Sequence, residues 1–214
     1  MAIYLIRHGE TEGNAARIIQ LPDSPLSPRG IAQAERLAQS LAGEGISRIV
    51  SSDLPRATMT AAPLQRATGA PLLLDALLQE RNFGDLRGAP YAELAVDPFA
   101  PDYEPPNGES WETFYRRVER AWAVIREAAI VSDGHLAVVT HGLVCRALAA
   151  RHLSLPAGEE TPARWENASL TIAEGMAPWR VRMLNSIAHL DGLQPARPGP
   201  APLSRAARRP EPPW

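Results

Sequence analysis

Residues 2–6 form an unbroken apolar run, Ala-Ile-Tyr-Leu-Ile, that stops abruptly at Arg7, His8, Gly9, Glu10 and Thr11. A short apolar run of this kind, bounded by glycine, reads as a strand covered on both faces, as in a parallel sheet with helices above and below. Ligands of open α/β sheets bind beyond the carboxyl ends of the strands. His8 stands at such an end, so the chain begins by delivering an arginine and an imidazole to the edge where this kind of fold does its chemistry.

The same corner recurs twice. Arg48, Ile49, Val50, Ser51 and Ser52 read as a second buried strand, after which Asp53 can cap a helix whose first turn holds Pro55 and Arg56. Leu136, Ala137, Val138, Val139 and Thr140 read as a third, ending in His141 and Gly142 and leading into a helix over residues 143–153. Between the first two corners, Ser27 and Pro28 open a helix with Ile31, Ala34, Leu37, Ala38 and Leu41 on one face, stopped by Gly43 and Gly45. Leu72, Leu73 and Leu74 suggest another short strand. The four prolines from Val96 to Gly108 mark a loop or lid, and Ser110 starts the longest helix, with Trp111, Phe114, Val118, Ala121, Trp122 and Ile125 as its apolar stripe. Residues 168–173 and 179–184 suggest a terminal hairpin.

Alternating strands and helices imply right-handed crossovers and a mostly parallel sheet. The expected fold is a three-layer α/β/α sandwich with His8, Arg56 and His141 along one edge. Residues 1–193 should form that domain, followed by a Pro/Arg-rich tail over 194–214 with too few apolar residues for a core, which reads as disordered.

Composition narrows the chemistry. All 22 basic residues are arginine, so a Schiff-base lysine, a P-loop lysine and an ammonium phosphate clamp are excluded, and any fixed cation must be a guanidinium. The single cysteine, Cys145, falls in an apolar helix and reads as core; it cannot form an intrachain disulfide. Net charge of −2 gives no reason to expect nucleic acid or anionic membrane as a partner. No apolar stretch is long enough for a membrane span and no signal-peptide pattern opens the chain, so a soluble cytoplasmic protein is expected. Fixed cations repel a metal, and no metal-ligand cluster stands out, so no metal or other cofactor is expected. Two arginines and two histidines suit a phosphate instead: at 4 Å and an effective dielectric near 20, each guanidinium attracts each phosphate charge by about 4 kcal/mol before desolvation.

Arg7, His8, Gly9, Glu10 and Thr11 with Asn14, then Ser51, Ser52, Asp53 and Arg56, then Glu80 with Gly84 and Gly88, then His141 and Gly142 together resemble the histidine phosphatase superfamily, also called phosphoglycerate mutase-like. The resemblance runs from about residue 2 to residue 190. It implies a phosphoglycerate mutase-like fold and a phosphohistidine formed at His8. Arg7, Arg56, His141 and Asn14 would bind phosphate, with His141 protonated beside the dianion, and Glu80 would be the proton donor. Glu10 and Glu12 read as structural or solvated. His189 resembles a family position near the site, while His135 and His152 have no identifiable partner.

Mutases of the family carry a longer basic insertion after the acid residue. Here the stretch from Gly88 to Ser110 contains Asp97, Asp102, Glu104 and Glu109 and no basic residue, with Tyr91, Phe99 and Tyr103 completing an apolar and acidic rim. The expected activity is therefore metal-independent hydrolysis of a small phosphorylated metabolite. Mutase-type transfer and a non-catalytic phosphate binder are the alternatives, and monomer or homodimer is left open. Leu21 stands where the family commonly has glycine, so the substrate loop is expected to be narrowed or reshaped.

Overall fold

The computed structural model describes residues 1–175 and 177–193, so the tail expected to be disordered lies outside the described residues. Seven strands form one sheet: β1 (Ala2–Arg7), β2 (Ile46–Ser51), β3 (Leu72–Leu74), β4 (His135–Thr140), β5 (Leu153–Ser154), β6 (Leu170–Glu174) and β7 (Trp179–Ser186), in the order β3-β2-β4-β1-β6-β7-β5. Only β6 runs against the others, pairing antiparallel with β1 and β7. The expected hairpin is β6 and β7, stitched onto the parallel half beside β1.

The continuous apolar character of β1 has a direct cause. Ile3 and Leu5 pack into the core beneath α4 (Trp111–Ile130) and α5 (Gly142–His152), whereas Tyr4 and Ile6 enter the opposite core, beneath α2 (Pro28–Leu41) and α3 (Pro55–Thr68). Both faces are buried, so residues 2–6 are all apolar and only Arg7, the last residue of the strand, is polar. Fully burying a side chain such as Leu37 or Phe114 contributes roughly 1.5–3 kcal/mol.

Register brings the three corners together. Arg7 pairs with Thr140, and Ser51 with Val139, so β1, β4 and β2 end at one level. His8 N–H continues the ladder to Thr140 O at 2.9 Å, and Ser52 N–H reaches Val139 O at 2.9 Å. Helix α2 starts as expected, Ser27 Oγ accepting from Gly30 N–H at 3.1 Å with Pro28 in the first turn. Its buried face includes Gln33 but not Ile31, which is exposed. Helix α3 is capped by Leu54, whose side chain makes no capping bond, with Pro55 setting the first turn; Asp53 instead accepts from Gln79 Nε2 at 2.7 Å.

The proline-rich segment has little regular structure but is fastened. The Arg81 guanidinium donates to the carbonyls of Pro98, Tyr103 and Glu109 at 3.0, 2.6 and 3.1 Å and lies 3.9 Å over the Trp111 ring. Trp111 Nε1–H adds a bond to Ala100 O at 2.8 Å. Among the described residues no helix is long and apolar enough to cross a membrane.

Candidate active site

The loop leaving β1 is pressed against α2. A Cβ on Gly30 would stand 2.0 Å from the Glu10 carbonyl oxygen, and one on Gly9 would stand 2.6 Å from Gly30 O, so neither position has room for a side chain. This contact sets where the backbone after His8 runs. Glu10 is structural, accepting from Ser27 Oγ at 3.1 Å and pairing with Arg29 at 3.0 Å. Thr11 caps a one-turn helix, α1 (Glu12–Ala15), as a capping box with Asn14.

His8 is 2 % exposed, and its Nδ1–H donates to its neighbour's carbonyl, Gly9 O, at 2.7 Å. That bond fixes the tautomer and leaves Nε2 with its lone pair. Burial, then the charges of Arg56 and Arg7, hold the His8 pKa well below the ordinary value, outweighing the Gly9 bond. These influences favour the neutral ring over the imidazolium. His141 lies with its ring centroid 5.1 Å from that of His8 and shares a 2.9 Å hydrogen bond between Nε2 and Ser52 Oγ, while its buried Nδ1 has no protein partner. Burial, Arg56, His8 and Arg7 likewise depress its pKa. The expected imidazolium is thus not favoured by the protein's own charges; a proton on His141 would have to come with the negative charge of a phosphoryl group.

The two guanidinium groups are held by carbonyls. Arg7 Nη1 donates to Trp165 O, and Arg56 Nη1 donates to Leu21 O and Pro22 O at 3.2 and 3.3 Å. Burial lowers the Arg56 pKa to about 10, partly offset by Glu80, so it stays charged at neutral pH. Leu21 does not narrow the site: its side chain is exposed and sits near Gly88, while its backbone carbonyl anchors Arg56.

Glu80 arrives on the segment after β3. Thr140 Oγ1 donates to Leu78 O at 2.7 Å, and Arg117 donates to Leu77 O, Gln79 O and Glu80 O at 2.8, 2.7 and 3.3 Å. The Glu80 carboxyl accepts from Arg81 N–H at 3.1 Å and from Leu143 N–H, in the first turn of α5, at 3.2 Å. Burial raises its pKa despite these donors and the nearby Arg56 and Arg7. A raised carboxyl pKa suits a general acid. The neighbouring Arg81 guanidinium does not pair with the Glu80 carboxyl, since its bonds go to the carbonyls of Pro98, Tyr103 and Glu109.

Asn14 combines a structural task with a place in the pocket. Its Oδ1 accepts from Thr11 N–H, Thr11 Oγ1 and Asn167 Nδ2 at 3.2, 3.1 and 3.0 Å, leaving its amide nitrogen to donate elsewhere. Asn167 Nδ2 also reaches His8 O and Gly9 O at 3.2 and 3.3 Å. Ser52, Trp165 and Asn167 thus complete the site without having been singled out from sequence. Ser52 lay inside a quoted motif; Trp165 and Asn167 fall in an irregular stretch with no periodic signal.

Arg7, His8, Asn14, Arg56, Glu80, Gly142 and Leu143 line one pocket, with Phe99 from the lid and Tyr91 from the turn before it. The expected acidic rim is wrong. None of Asp97, Asp102, Glu104 and Glu109 lines the pocket, whereas Arg17, Arg87, Arg146 and Arg164 do. Glu109 pairs with Arg117 at 2.7 Å instead. His189 lies in a different cavity, with Tyr4, Ser40 and Met183. His135 Nδ1 accepts from Ala2 N–H, and His152 stacks on Trp122 at 4.8 Å. Cys145 is buried core. Among the described residues no group of three or more His, Cys, Asp and Glu side chains could hold a metal ion.

A family model described as histidine phosphatase superfamily (branch 1) matches residues 3–185. A protein of Yersinia pestis named probable phosphoglycerate mutase GpmB is 35 % identical, the alignment covering 89 % of this chain and 95 % of that protein. Among solved structures, the alpha-ribazole phosphatase from Shigella flexneri superposes with a TM-score of 0.75 at 29 % identity, covering 88 % of this chain and 98 % of its own. A mycobacterial glucosyl-3-phosphoglycerate phosphatase gives 0.73 at 29 % identity, covering 86 % and 98 %. With its phosphoglycerate mutase-like α/β fold and this set of residues at one sheet edge, the chain belongs to the histidine phosphatase superfamily.

Proposed function

We propose that the protein is a phosphomonoester hydrolase that works through a phosphohistidine at His8. The observation that carries this reading is the 2.7 Å bond from His8 Nδ1–H to Gly9 O, which leaves the Nε2 lone pair on a neutral ring beside two fixed guanidinium groups. In the first step Nε2 bonds to phosphorus as the ester P–O bond breaks, and the Glu80 carboxyl gives its proton to the departing alkoxide. Arg7 and Arg56, with His141, stabilise the phosphoryl oxygens through in-line displacement. In the second step water bonds to phosphorus, its proton passes to the Glu80 carboxylate, and the P–N bond breaks, restoring neutral His8 and protonated Glu80.

Hydrolysis of a generic aryl phosphate, with acid-labile labelling of the protein by radiolabelled substrate, tests the scheme. His8→Ala should abolish both. Labelling that survives in a folded variant would refute the nucleophile. A second reading, transfer of the phosphoryl group between positions of phosphoglycerate, draws on the basic pocket lining and on the name of the Yersinia relative. Conversion between 2- and 3-phosphoglycerate faster than phosphate release would favour it.

A further inference from the structure

The peptide group joining Gly9 to Glu10 is hydrogen-bonded at both of its ends. Its carbonyl, Gly9 O, accepts from His8 Nδ1–H at 2.7 Å, and its N–H, on Glu10, donates to Gln33 Oε1 at 2.7 Å. A continuous chain of two hydrogen bonds therefore starts in α2 and ends at the imidazole nitrogen opposite the one that faces phosphorus in the proposed scheme. The preceding peptide is held separately. Gly9 N–H donates to Thr60 Oγ1 at 3.0 Å, and that hydroxyl donates to Arg56 O at 2.7 Å, tying the loop to α3.

The fold brings Gln33 to this place. A Cβ on Gly30 would stand 2.0 Å from Glu10 O and 2.9 Å from Glu10 N, so only a glycine there lets α2 come this close to the loop. Gln33 follows three residues later, on the same helix face, and reaches the Glu10 N–H. It is 2 % exposed. Burying a glutamine is unfavourable unless its amide is bonded, so its presence on the core-facing side of α2 calls for a task that an apolar residue could not do.

That task is readable from the chemistry of the peptide group. A bond accepted from an amide N–H draws electron density toward the carbonyl oxygen of the same amide, and bonds in such a chain strengthen one another by about 10–30 %. When Nε2 bonds to phosphorus, the ring gains positive charge while Nδ1 keeps its proton. The bond from Nδ1–H to Gly9 O is then charge-assisted, so it is stronger in the transition state than in the resting enzyme. We propose that Gln33 is a positioning residue for phosphoryl transfer, its side-chain oxygen holding and polarising the Gly9–Glu10 peptide and, through the Gly9 carbonyl, orienting and supporting the His8 ring. Gln33 acts at a distance of two hydrogen bonds and is absent from the pocket lining. The inference rests on His8 as the nucleophile and adds a residue on which its reactivity depends.

Gln33→Met keeps the length of the side chain and removes the acceptor. In the resting protein, NMR of isotopically labelled histidine should show the His8 Nδ1 proton moved upfield and exchanging faster with water, and the Glu10 amide proton should move upfield with it. In single turnovers of p-nitrophenyl phosphate, formation of acid-labile label should slow about tenfold, while affinity for inorganic phosphate, held by Arg7 and Arg56, changes less than about twofold. Gln33→Glu offers an oxygen to Glu10 N–H whether ionised or not and should bring labelling back to within about threefold of the wild type. Thr60→Val removes the acceptor of the preceding peptide, which is outside the chain to Nδ1. It should lower the urea midpoint as Gln33→Met does but move the Nδ1 proton and the labelling rate far less. If Gln33→Met does not fold, Gln33→Asn, one methylene too short, should give the same losses with an amide retained. A wild-type labelling rate and Nδ1 shift in either variant would overturn the inference. Equal slowing by Thr60→Val would assign the effect to loop packing and overturn it, as would a parallel loss of phosphate affinity. In each of those cases the wild type still labels at His8 and the phosphohistidine reading stands. If the wild type does not label, that reading fails, and the Nδ1 and Glu10 shifts alone decide whether Gln33 polarises the ring.

Discussion

Replacing Arg117 by methionine should couple loss of stability to loss of proton donation, because one guanidinium serves both. Its Nε and Nη2 form a two-pronged pair with Glu109 at 2.8 and 2.7 Å, and its remaining donor capacity goes to Leu77 O, Gln79 O and Glu80 O. Glu109 in turn accepts from Asn82 N–H at 2.9 Å, so the pair clasps the segment carrying Glu80 from both sides. Burial works against the Glu109 carboxylate, but the bonds from Arg117 and Asn82 outweigh it and lower its pKa. The two side chains are 16 % and 14 % exposed, buried enough that removing one partner strands the other. Breaking a buried pair on one side costs about 3–5 kcal/mol. Allowing for the water that reaches this pair, about 3 kcal/mol is expected for Arg117→Met, a large share of the ~5–15 kcal/mol that stabilises a typical domain. Urea unfolding of Arg117→Met, Glu109→Gln and the double variant measures it. The double variant should lose less than the sum of the singles by at least about 1.5 kcal/mol. Turnover of alkyl phosphates, for which the proposed scheme has Glu80 protonate the leaving group, should fall at least tenfold more than turnover of p-nitrophenyl phosphate. A coupling below about 0.5 kcal/mol, or equal losses on both substrates, refutes the reasoning.

Three further outcomes are expected. Glu80→Gln should slow alkyl phosphate hydrolysis by about 10²- to 10⁴-fold and p-nitrophenyl phosphate hydrolysis far less; equal slowing on the two esters would count against proton donation. His8 and His141 have folded-state pKa values well below the ordinary 6.5, so below pH 6.5 the unfolded chain takes up protons that the folded chain does not, and stability falls with pH. Between pH 7.5 and 5.5 this amounts to as much as about 1.4 kcal/mol for each ring, and the double variant His8→Asn/His141→Asn should show a correspondingly shallower dependence in urea unfolding; an unchanged slope contradicts it. Gly30→Ala should cost roughly 3 kcal/mol or more and weaken inorganic phosphate binding, because its Cβ would meet Glu10 O at 2.0 Å and push α2 off the loop after His8; calorimetry showing wild-type stability and affinity would contradict the argument.

What the sequence disclosed follows from periodicity and from corners. The apolar runs before His8, Ser52 and His141 locate three strand ends, and parallel pairing must bring such ends to one edge, so the gathering of Arg7, His8, Arg56 and His141 there was legible. Side chains whose direction depends on packing were not. Ile31 falls on the apolar spacing of α2, yet Gln33 is buried in its place because Glu10 N–H needs its amide oxygen, at 2.7 Å. Asp53 reads as a cap, but Pro55 sets the first turn without one and the carboxylate turns to Gln79. The acidic lid misled for a related reason. Charge in a loop says nothing about which way the loop faces, and Glu109 faces Arg117 while the pocket draws its arginines from elsewhere.

The partners of the arginines separate two jobs that composition cannot. Arg29, Arg66, Arg116, Arg117 and Arg182 pair with carboxylates, where each charge is cancelled and the residue acts as a fastening. Arg7 and Arg56 donate to backbone carbonyls, those of Trp165, Leu21 and Pro22. A carbonyl fixes the geometry of a guanidinium as well as a carboxylate does but leaves its full charge for a ligand, so these two are held rigidly and remain uncancelled. Arg81 is also carbonyl-bound, but its stack on Trp111 and its three lid carbonyls occupy the whole fork, and it fastens the lid. Glu80, a carboxyl whose charge acts on both Arg7 and Arg56, has its pKa raised by burial, which favours the neutral acid beside them. Burial therefore acts on both groups in the same sense, disfavouring imidazolium at His8 and carboxylate at Glu80 beside two guanidinium groups. A phosphoryl dianion is the charge missing from that arrangement.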